Sequence, residues 1–350
     1  MISRRALLAG SMLSVIAGAS RAQAEANVAI TRELVTKLIL PNYEKLNDAA
    51  KVQAGLWADF AAKPDAAAIA GLRNAYLKTA DAWSAIEFLH FGPAGADFRF
   101  ERISYWPERK NATGKAMAIL LAGRGDDGLA PDVFARSSAA GQGLPALERL
   151  LFDNDAETLL LANDADGDRR RRVGLAIARN VEIIAGQILA GWRGGPDSVL
   201  KKLDDPGYAQ EATTRIATDL LALFQLIRDT KIEAPLGKSI ESAKPRLAEG
   251  WRSGRSIRAI AINFATLRDA AEIIFANSKD EIASPSVLKS AVKIADSLSA
   301  EELSALVISP KRRSDAVLLL DAATSARDVC KLEIPHALGI TIGFNSLDGD

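Results

Sequence analysis

The sequence predicts an all-α fold made of two helical bundles with a cleft between them. Long stretches rich in alanine and leucine favour helices over sheets. At 350 residues the chain is too long for one ordinary core, and Gly194-Gly195-Pro196 interrupts the helical pattern near its middle. We therefore expect an N-terminal bundle over residues 26–195 and a C-terminal bundle over residues 196–350.

Residues 1–24 have the pattern of an export signal that is removed from the mature protein. Arg4 and Arg5 precede an apolar run over residues 6–19, and Ala22-Gln23-Ala24 forms a small-x-small cleavage site. The run is too short for a membrane span, and no cysteine near the cleavage site offers a lipid attachment point. The arginine pair resembles a twin-arginine signal, although the ordinary secretory route remains open. The sequence predicts a periplasmic protein that does not span the membrane.

The charge balance of the mature chain excludes one class of partner. Removing the signal leaves 41 basic against 44 acidic side chains, which gives no electrostatic footprint for nucleic acid. The only cysteine, Cys330, has no partner for an internal disulfide and lies among apolar residues, which predicts a buried thiol. Packing must therefore supply the stability of the protein.

Helical spacing of apolar residues, bounded by proline and glycine, predicts nine helices in the mature chain. Pro41 should bend or break the first, Gly92-Pro93 should stop the second, and Pro145 suits the first turn of the fourth because its missing N–H costs nothing there. The predicted helices are 27–62, 64–91, 113–121, 144–152, 164–192, 206–229, 252–278, 285–298 and 313–332.

Three further segments, a loop, a basic run and the C-terminal tail, each give a prediction of their own. The loop over residues 92–112 is rich in side chains capable of function, as loops with a role often are. The basic run from Arg169 to Arg172 predicts a solvated helix face. Alternating apolar residues after Leu338 predict a short extended tail with turns rather than a helix.

Glu148 is the residue that most needs an explanation. On a helical wheel it falls on the same face as Leu144, Leu147 and Leu151, which is the face that packs. A carboxylate there is costly unless a cation, a metal ion or hydrogen-bond donors meet it. The sequence leaves two interpretations: a buried structural salt bridge, or a ligand or metal site between packed helices.

Few catalytic patterns are available to a chain with only two histidines, His90 and His336. The sequence has no H-E-x-x-H helix, G-x-S-x-G elbow, Walker loop or G-x-G-x-x-G turn. Glu87-x-x-His90 and Glu333-x-x-His336 have the spacing of di-iron bundles, with Glu148 and Glu249 as further ligands, but Pro335 interrupts the second pair. A single-metal site of Glu148 with His90 and Glu87 is the alternative, and a hydrogen-bonded core histidine is the structural interpretation of His90.

Five segments, in order along the chain, resemble the imelysin family of bacterial envelope proteins. Together they span nearly all of the mature sequence. The segments are Trp83 with Phe91-Gly92-Pro93, Trp106-Pro107, Gly143-Leu-Pro-Ala-Leu-Glu148 against the family motif G-x-H-x-x-E, Glu249-Gly-Trp-Arg-Ser-Gly-Arg-Ser256, and the ending from Leu338 to Asp350.

The resemblance implies two α-helical domains with a site in the cleft between them. Members are associated with iron acquisition, and some were catalogued as peptidases on the strength of the histidine and glutamate of the motif. In this sequence the motif histidine is Pro145, which has no side-chain donor, acceptor or metal ligand. Only Gly143 and Glu148 carry over, which weakens both a metal-dependent peptidase and iron binding through that histidine.

We therefore expect a periplasmic protein that binds a metal ion or ligand at the interdomain cleft, in iron acquisition. Iron or another divalent metal is the expected cargo, and an envelope iron-transport component is the expected partner. One alternative is a metal-dependent peptidase, and another is a non-catalytic scaffold for an envelope transport complex with Glu148 in a structural salt bridge. The expected ligand-binding residues are Gly143, Glu148, Trp106, Arg109, Glu249, Arg252 and Asp348.

Overall fold

The computed structural model describes residues 23–123 and 125–340, and within these ranges the chain is helical with no strand, as predicted. Residues 1–22 of the predicted export signal, the predicted tail from residue 341 and the candidate Asp348 lie outside the described residues. The helices are α1 (23–62), α2 (Ala66–Ser84), α3 (Arg99–Ile103), α4 (Ala112–Ala122), α5 (Pro131–Phe134), α6 (Leu144–Phe152), α7 (Ala156–Leu161), α8 (Ala165–Arg193), α9 (Val199–Lys202), α10 (206–236), α11 (Ser256–Ile274), α12 (Ser284–Ser297), α13 (Leu303–Leu306) and α14 (Arg313–Leu338).

The helices pack in two groups. In the first group, α1 lies along both α8 and α2, and in the second group α12 packs against α11 and α14. The core face of α8 is the one that its apolar spacing predicts, since Val173, Ile177 and Val181 are fully buried. Buried side chains of both groups form one connected hydrophobic core, so the division into two domains stays a prediction.

Helix α1 joins the two groups. Near its start, Asn27 Nδ2 donates a hydrogen bond to the carbonyl oxygen of Leu338 (2.7 Å), and the hydroxyls of Thr31 and Thr213 lie 2.6 Å apart. Pro41 does not break this helix, because a π-helical segment (Leu34–Ile39) precedes it and absorbs the missing N–H. The start of α1 therefore contacts the second group, although the sequence boundary assigns it to the first.

Helix α2 ends at Ser84, seven residues before the predicted end. The carbonyl oxygen of Ser84 accepts a hydrogen bond from Asn263 Nδ2 (2.7 Å), and that of Ala85 accepts one from Thr266 Oγ1 (3.1 Å). Side chains of α11 thus satisfy the last carbonyl groups of α2, and the chain turns away after them. The prediction that Glu87 and His90 share a helix face is therefore wrong.

The second E-x-x-H pair is also not a metal ligand pair. Glu333 accepts hydrogen bonds from the backbone N–H groups of Ala283 (3.0 Å) and Ser284 (2.8 Å) at the start of α12. His336 is exposed. Glu333 therefore caps a helix, which is a favourable place for a carboxylate, and the di-iron arrangement is not formed.

The prediction of a solvated face for Arg169 to Arg172 is wrong for two of the four arginines. Arg169 and Arg171 are 5 % and 6 % exposed. Arg169 Nε donates to the carbonyl oxygen of Leu120 (2.8 Å), and Arg171 Nη1 donates to that of Leu160 (2.8 Å). These guanidinium groups satisfy carbonyl groups near the ends of α4 and α7, a role that local sequence does not reveal.

One described helix, α8, is long and apolar enough to cross a membrane by length and composition. Its most apolar stretch is 56 % buried inside the protein. A core helix passes the same test, and the packing of α8 against α1 gives it that position.

Candidate functional site at the contact of the two helix groups

Glu148 lies on α6, where the two helix groups meet. Gly143 caps the start of α6, and Pro145 occupies its first turn, as predicted. A side chain at Gly143 would collide with the backbone carbonyl groups of Arg102 and Ile103, so this glycine allows α6 to approach α3 closely. Glu148 is 5 % exposed, in agreement with its place on the packing face.

The partner of Glu148 is a serine rather than a cation. Its Oε1 atom accepts hydrogen bonds from the backbone N–H (3.0 Å) and the hydroxyl (2.7 Å) of Ser253, which belongs to the other helix group. Among the described residues, none donates a hydrogen bond to Oε2 and none forms an ion pair with Glu148. Burial raises the pKa of Glu148, and the two bonds from Ser253 and the charge of Arg252 offset this only in part.

Glu148 lines two cavities and lies next to a wide groove. One cavity of about 100 Å³ and a smaller one of about 40 Å³ share Trp106, Pro145, Glu148 and Gly250 in their walls. The larger cavity shares six wall residues with a surface groove of about 940 Å³. Those six residues are Glu108, Arg149, Arg246, Leu247, Trp251 and Arg252.

Three arginines line the mouth of the larger cavity, and two of them pair with carboxylates. Arg149 Nη2 lies 3.1 Å from Glu108 Oε1, and Arg252 Nε lies 2.6 Å from Asp153 Oδ1. The guanidinium groups of Arg252 and Arg246 lie 4.2 Å and 5.5 Å from the ring centre of Trp251. Stacking and pairing hold these groups in place and leave N–H donors for a ligand.

A second buried charge cluster lies beside this cavity. Lys231, 1 % exposed, forms ion pairs with Glu87 and with Glu249 (Nζ to Oε2, 2.7 Å). Its ammonium nitrogen is 5.7 Å from the ring centre of Trp106, which forms part of the cavity wall. Asn263 Nδ2 also donates to Glu87 Oε1 (2.8 Å), so this cluster is closed by its own partners.

The pKa directions agree with that arrangement. Burial and the nearby charge of Glu249 raise the pKa of Glu87. Burial also opposes ionisation of Glu249, but the charges of Lys231 and Arg255 outweigh it and lower the pKa of Glu249. The two carboxylates hold the pKa of Lys231 above its usual value despite burial, so Lys231 stays charged.

Comparison of the whole sequence with models of known protein families gives a match. The Imelysin family model matches residues 39–312, which is most of the chain. The chain belongs to the imelysin family. No protein among the curated sequences matches it.

Two solved structures have the same fold as this imelysin-family chain. An imelysin-like protein from Psychrobacter arcticum 273-4 is 20 % identical, with a TM-score of 0.64, and the match covers 92 % of this chain and 98 % of that one. A protein from Parabacteroides distasonis ATCC 8503, described as an iron-regulated protein A precursor, is 16 % identical, with a TM-score of 0.61. That match covers 90 % of this chain and 94 % of the other.

The structure brings only some of the predicted ligand-binding residues to the cavity. Glu148, Trp106 and Arg252 line the larger cavity, and Glu249 lines the smaller one while bound to Lys231. Gly143 has a packing role instead. Arg109 is exposed and lines neither cavity.

The predicted metal ligands are not brought together. His90 is exposed and stacks on Phe100, with ring centres 3.8 Å apart, and Glu87 is bonded to Lys231. Within residues 23–123 and 125–340, no three His, Cys, Asp or Glu side chains could share a metal ion. Pro145, in the position of the motif histidine, lines both cavities beside Glu148. The described residues therefore do not fit a metal ion held by protein ligands alone.

Sequence reasoning missed Lys231, Ser253 and Arg255. Lys231 lies in a π-helical segment (Leu226–Glu233) that continues beyond the predicted helix end at residue 229. Ser253 falls inside the predicted helix 252–278, whereas α11 begins at Ser256 and the Ser253 hydroxyl binds Glu148. The nearest signal was the family-like Glu249–Ser256 segment, which contains both Ser253 and Arg255.

Proposed function

We propose that this imelysin-family protein binds an anionic iron chelate between its two helix groups and serves iron acquisition in the bacterial envelope. The observation that carries the proposal is Glu148, a buried carboxylate that lines a cavity and has both of its hydrogen bonds on Oε1. Burying such a charge is costly, and no cation among the described residues offsets it by an ion pair.

A chelate suits the cavity walls better than a bare metal ion. Glu148 offers iron one carboxylate, and no group of three His, Cys, Asp or Glu side chains among the described residues could complete a metal site around it. A chelator fills the other coordination positions of iron, and its own carboxylates would meet the guanidinium groups of Arg149, Arg246 and Arg252. The head of the chelate would enter the cavity of about 100 Å³ and its body would occupy the adjoining groove.

The proposed periplasmic location and the proposed role in iron acquisition are supported by different observations. Residues 1–24 have the pattern of an export signal, and the relative from Parabacteroides distasonis is described as an iron-regulated precursor. Membership of the imelysin family is consistent with export and with a link to iron. The periplasm is the compartment that we propose.

Titration calorimetry with ferric citrate, free citrate and ferrous sulfate tests the proposal. We expect the mature protein to bind ferric citrate, and Glu148→Gln to weaken this about tenfold, because a bond to a charged group contributes ~1.5–3 kcal/mol. The matched control is Glu333→Gln, which neutralises a glutamate that caps α12 and lines none of these cavities.

Three results would overturn the proposal. They are no heat of binding with ferric citrate, equal affinity in the wild type and Glu148→Gln, and tighter binding of the ferrous ion than of the chelate. Circular dichroism of each variant shows whether the helices are intact, so a loss of binding is not confused with unfolding.

A further inference from the structure

A second groove, on the outer side of the first helix group, shares no wall residue with the cavities at Glu148. Its volume is about 570 Å³, within the range of sites for small molecules. Segments around α3, α5 and α8 form its walls. The polar walls include Arg99, Arg102, Arg172 and Arg179.

Arg102 is fixed in this groove by neutral partners. Its Nε–H donates to Gln142 Oε1 (2.7 Å) and its Nη2 donates to Asn180 Oδ1 (2.9 Å). Gln142 is fully buried and Asn180 is 6 % exposed, so the two amides form a rigid support. The Gln142 amide nitrogen donates to the carbonyl oxygen of Ser137 (2.7 Å), and that of Asn180 donates to the carbonyl oxygen of Gln142 (3.0 Å). These bonds fix which amide atoms face Arg102.

The unused donors of Arg102 suit a carboxylate. A guanidinium group has five N–H bonds, and the two amides use one edge of it. The remaining N–H bonds include one on each Nη atom that run parallel, which is the fork that binds a carboxylate with two hydrogen bonds. Burial and the charge of Arg99 lower the pKa of Arg102. A bound anion would offset this effect, because it stabilises the charged guanidinium group.

The charges around the groove leave a cationic excess. Arg99 pairs with Asp97 (3.0 Å), and Arg172 pairs with Asp126 and with Asp168 (2.9 Å), which lies outside the wall. No described carboxylate forms an ion pair with Arg102 or with Arg179, which is exposed on α8. Asp132 is the remaining acid among the described wall residues, so the wall holds four arginines and three aspartates, a net charge of one positive unit.

We propose that this groove binds a small organic carboxylate, with Arg102 as the anchoring residue and Arg179 as a second cation. The apolar part of the wall, which includes Leu129, Phe134 and Ile183, favours a ligand with an apolar body over a bare inorganic anion. Ile183 is 43 % exposed, so this surface is open to such a ligand. The site does not depend on Glu148.

Benzoate is the probe for this site, with inorganic phosphate and benzylammonium as comparison ligands. Calorimetry and ligand-observed NMR on the mature protein should show binding of benzoate and much weaker binding of the other two. Arg102→Lys keeps the charge but removes the fork, and we expect about tenfold weaker binding of benzoate. Arg179→Gln, at an exposed position that tolerates substitution, should weaken binding about threefold.

Two controls separate this site from general effects. Arg193→Gln removes an arginine from the same helix, where it pairs with Glu44 outside the groove, and should leave benzoate affinity unchanged. Glu148→Gln should also leave it unchanged. Equal affinity in the wild type, Arg102→Lys and Arg179→Gln would overturn the proposal, as would phosphate binding as tightly as benzoate.

Discussion

Two sets of buried carboxylates lie side by side in this protein, and they differ in how their charge is met. Glu87 and Glu249 share the ammonium group of Lys231, and Asn263 supplies a further donor. Glu148 has only the hydroxyl and the N–H of Ser253, both on one oxygen. The first set is closed by its own partners, whereas Glu148 lines a cavity and has hydrogen bonds on one oxygen only.

This difference separates structure from function among residues that look alike in sequence. A closed ion cluster between helices adds little net stability over apolar packing, but breaking it is costly. An acid without a cation is costly to bury from the start, so its presence at a cavity calls for a ligand. Substitution of Glu249 and substitution of Glu148 should therefore have opposite effects on the free energy of unfolding at neutral pH.

The largest effect is expected for Lys231→Met. This change leaves Glu87 and Glu249 without their shared cation in the core, and removing one partner of a buried pair costs ~3–5 kcal/mol. Urea denaturation at pH 7 measures the loss. Lys201→Met, at an exposed lysine paired with Asp204, is the control and should leave the midpoint nearly unchanged.

Acid titration of two matched variants should give opposite profiles. The folded pKa of Glu249 is lowered, so its charge stabilises the protein above the ordinary value of 4.5, and this contribution is lost as the pH falls through the lowered pKa. Glu249→Gln should be less stable than the wild type at pH 7, and the difference should shrink in acid.

The pKa of Glu148 in the folded protein is raised, so its effect on the pH dependence of stability has the opposite sign to that of Glu249. Between 4.5 and the raised pKa, the folded protein keeps a proton that the unfolded chain has released, so stability falls as the pH rises through this interval. Glu148→Gln should thus be at least as stable as the wild type at pH 7, with a gain that vanishes below pH 4.5. A large loss at pH 7 would instead indicate a structural role and favour the scaffold alternative.

A smaller effect is expected for Ser253→Ala. The change removes the hydroxyl that donates a hydrogen bond to Glu148 (2.7 Å) and retains the backbone N–H. We therefore expect the free energy of unfolding to fall by about 1–2 kcal/mol at pH 7, and the pKa of Glu148 to rise further. Ser290→Ala removes an exposed hydroxyl that donates to a carbonyl oxygen within α12, and it serves as the control. Equal stability of the two variants would show that the bond to Glu148 contributes nothing.

The smallest effect is expected for Arg109→Ala. Arg109 is exposed and lines neither cavity at Glu148 nor the adjoining groove. Its removal should change neither the midpoint of urea denaturation nor the affinity for ferric citrate. A weakening like that expected for Glu148→Gln would bring Arg109 back into the site.

Helical spacing predicted the parts of the fold that depend on local sequence. The all-α class, the extent of α8 and the burial of Glu148 on the packing face of α6 follow from the 3.6-residue repeat. The end of α2 does not, because Asn263 and Thr266 from a distant helix satisfy the last carbonyl groups. The same limit applies to Arg169 and Arg171, whose partners are carbonyl groups of other segments.

The candidate site was predicted in part for a similar reason. Glu148 is conspicuous because an acid on an apolar face violates a local pattern. Ser253 and Lys231 violate none, and their roles arise only when the two helix groups meet. The grouping of Glu148 with His90 failed because α2 ends before His90, which places the histidine on the surface.

The pKa of Glu148 in the mature protein without added ligand is the most direct test of this account. Carboxyl ¹³C NMR of the wild type, with Glu148→Gln to assign the signal, measures it. We predict a pKa above the ordinary 4.5, as expected for a buried carboxylate without a cation. A value at or below 4.5 would mean that Ser253 and the neighbouring arginines already stabilise the charge of Glu148, and would contradict the proposal that this acid is held ready for a ligand.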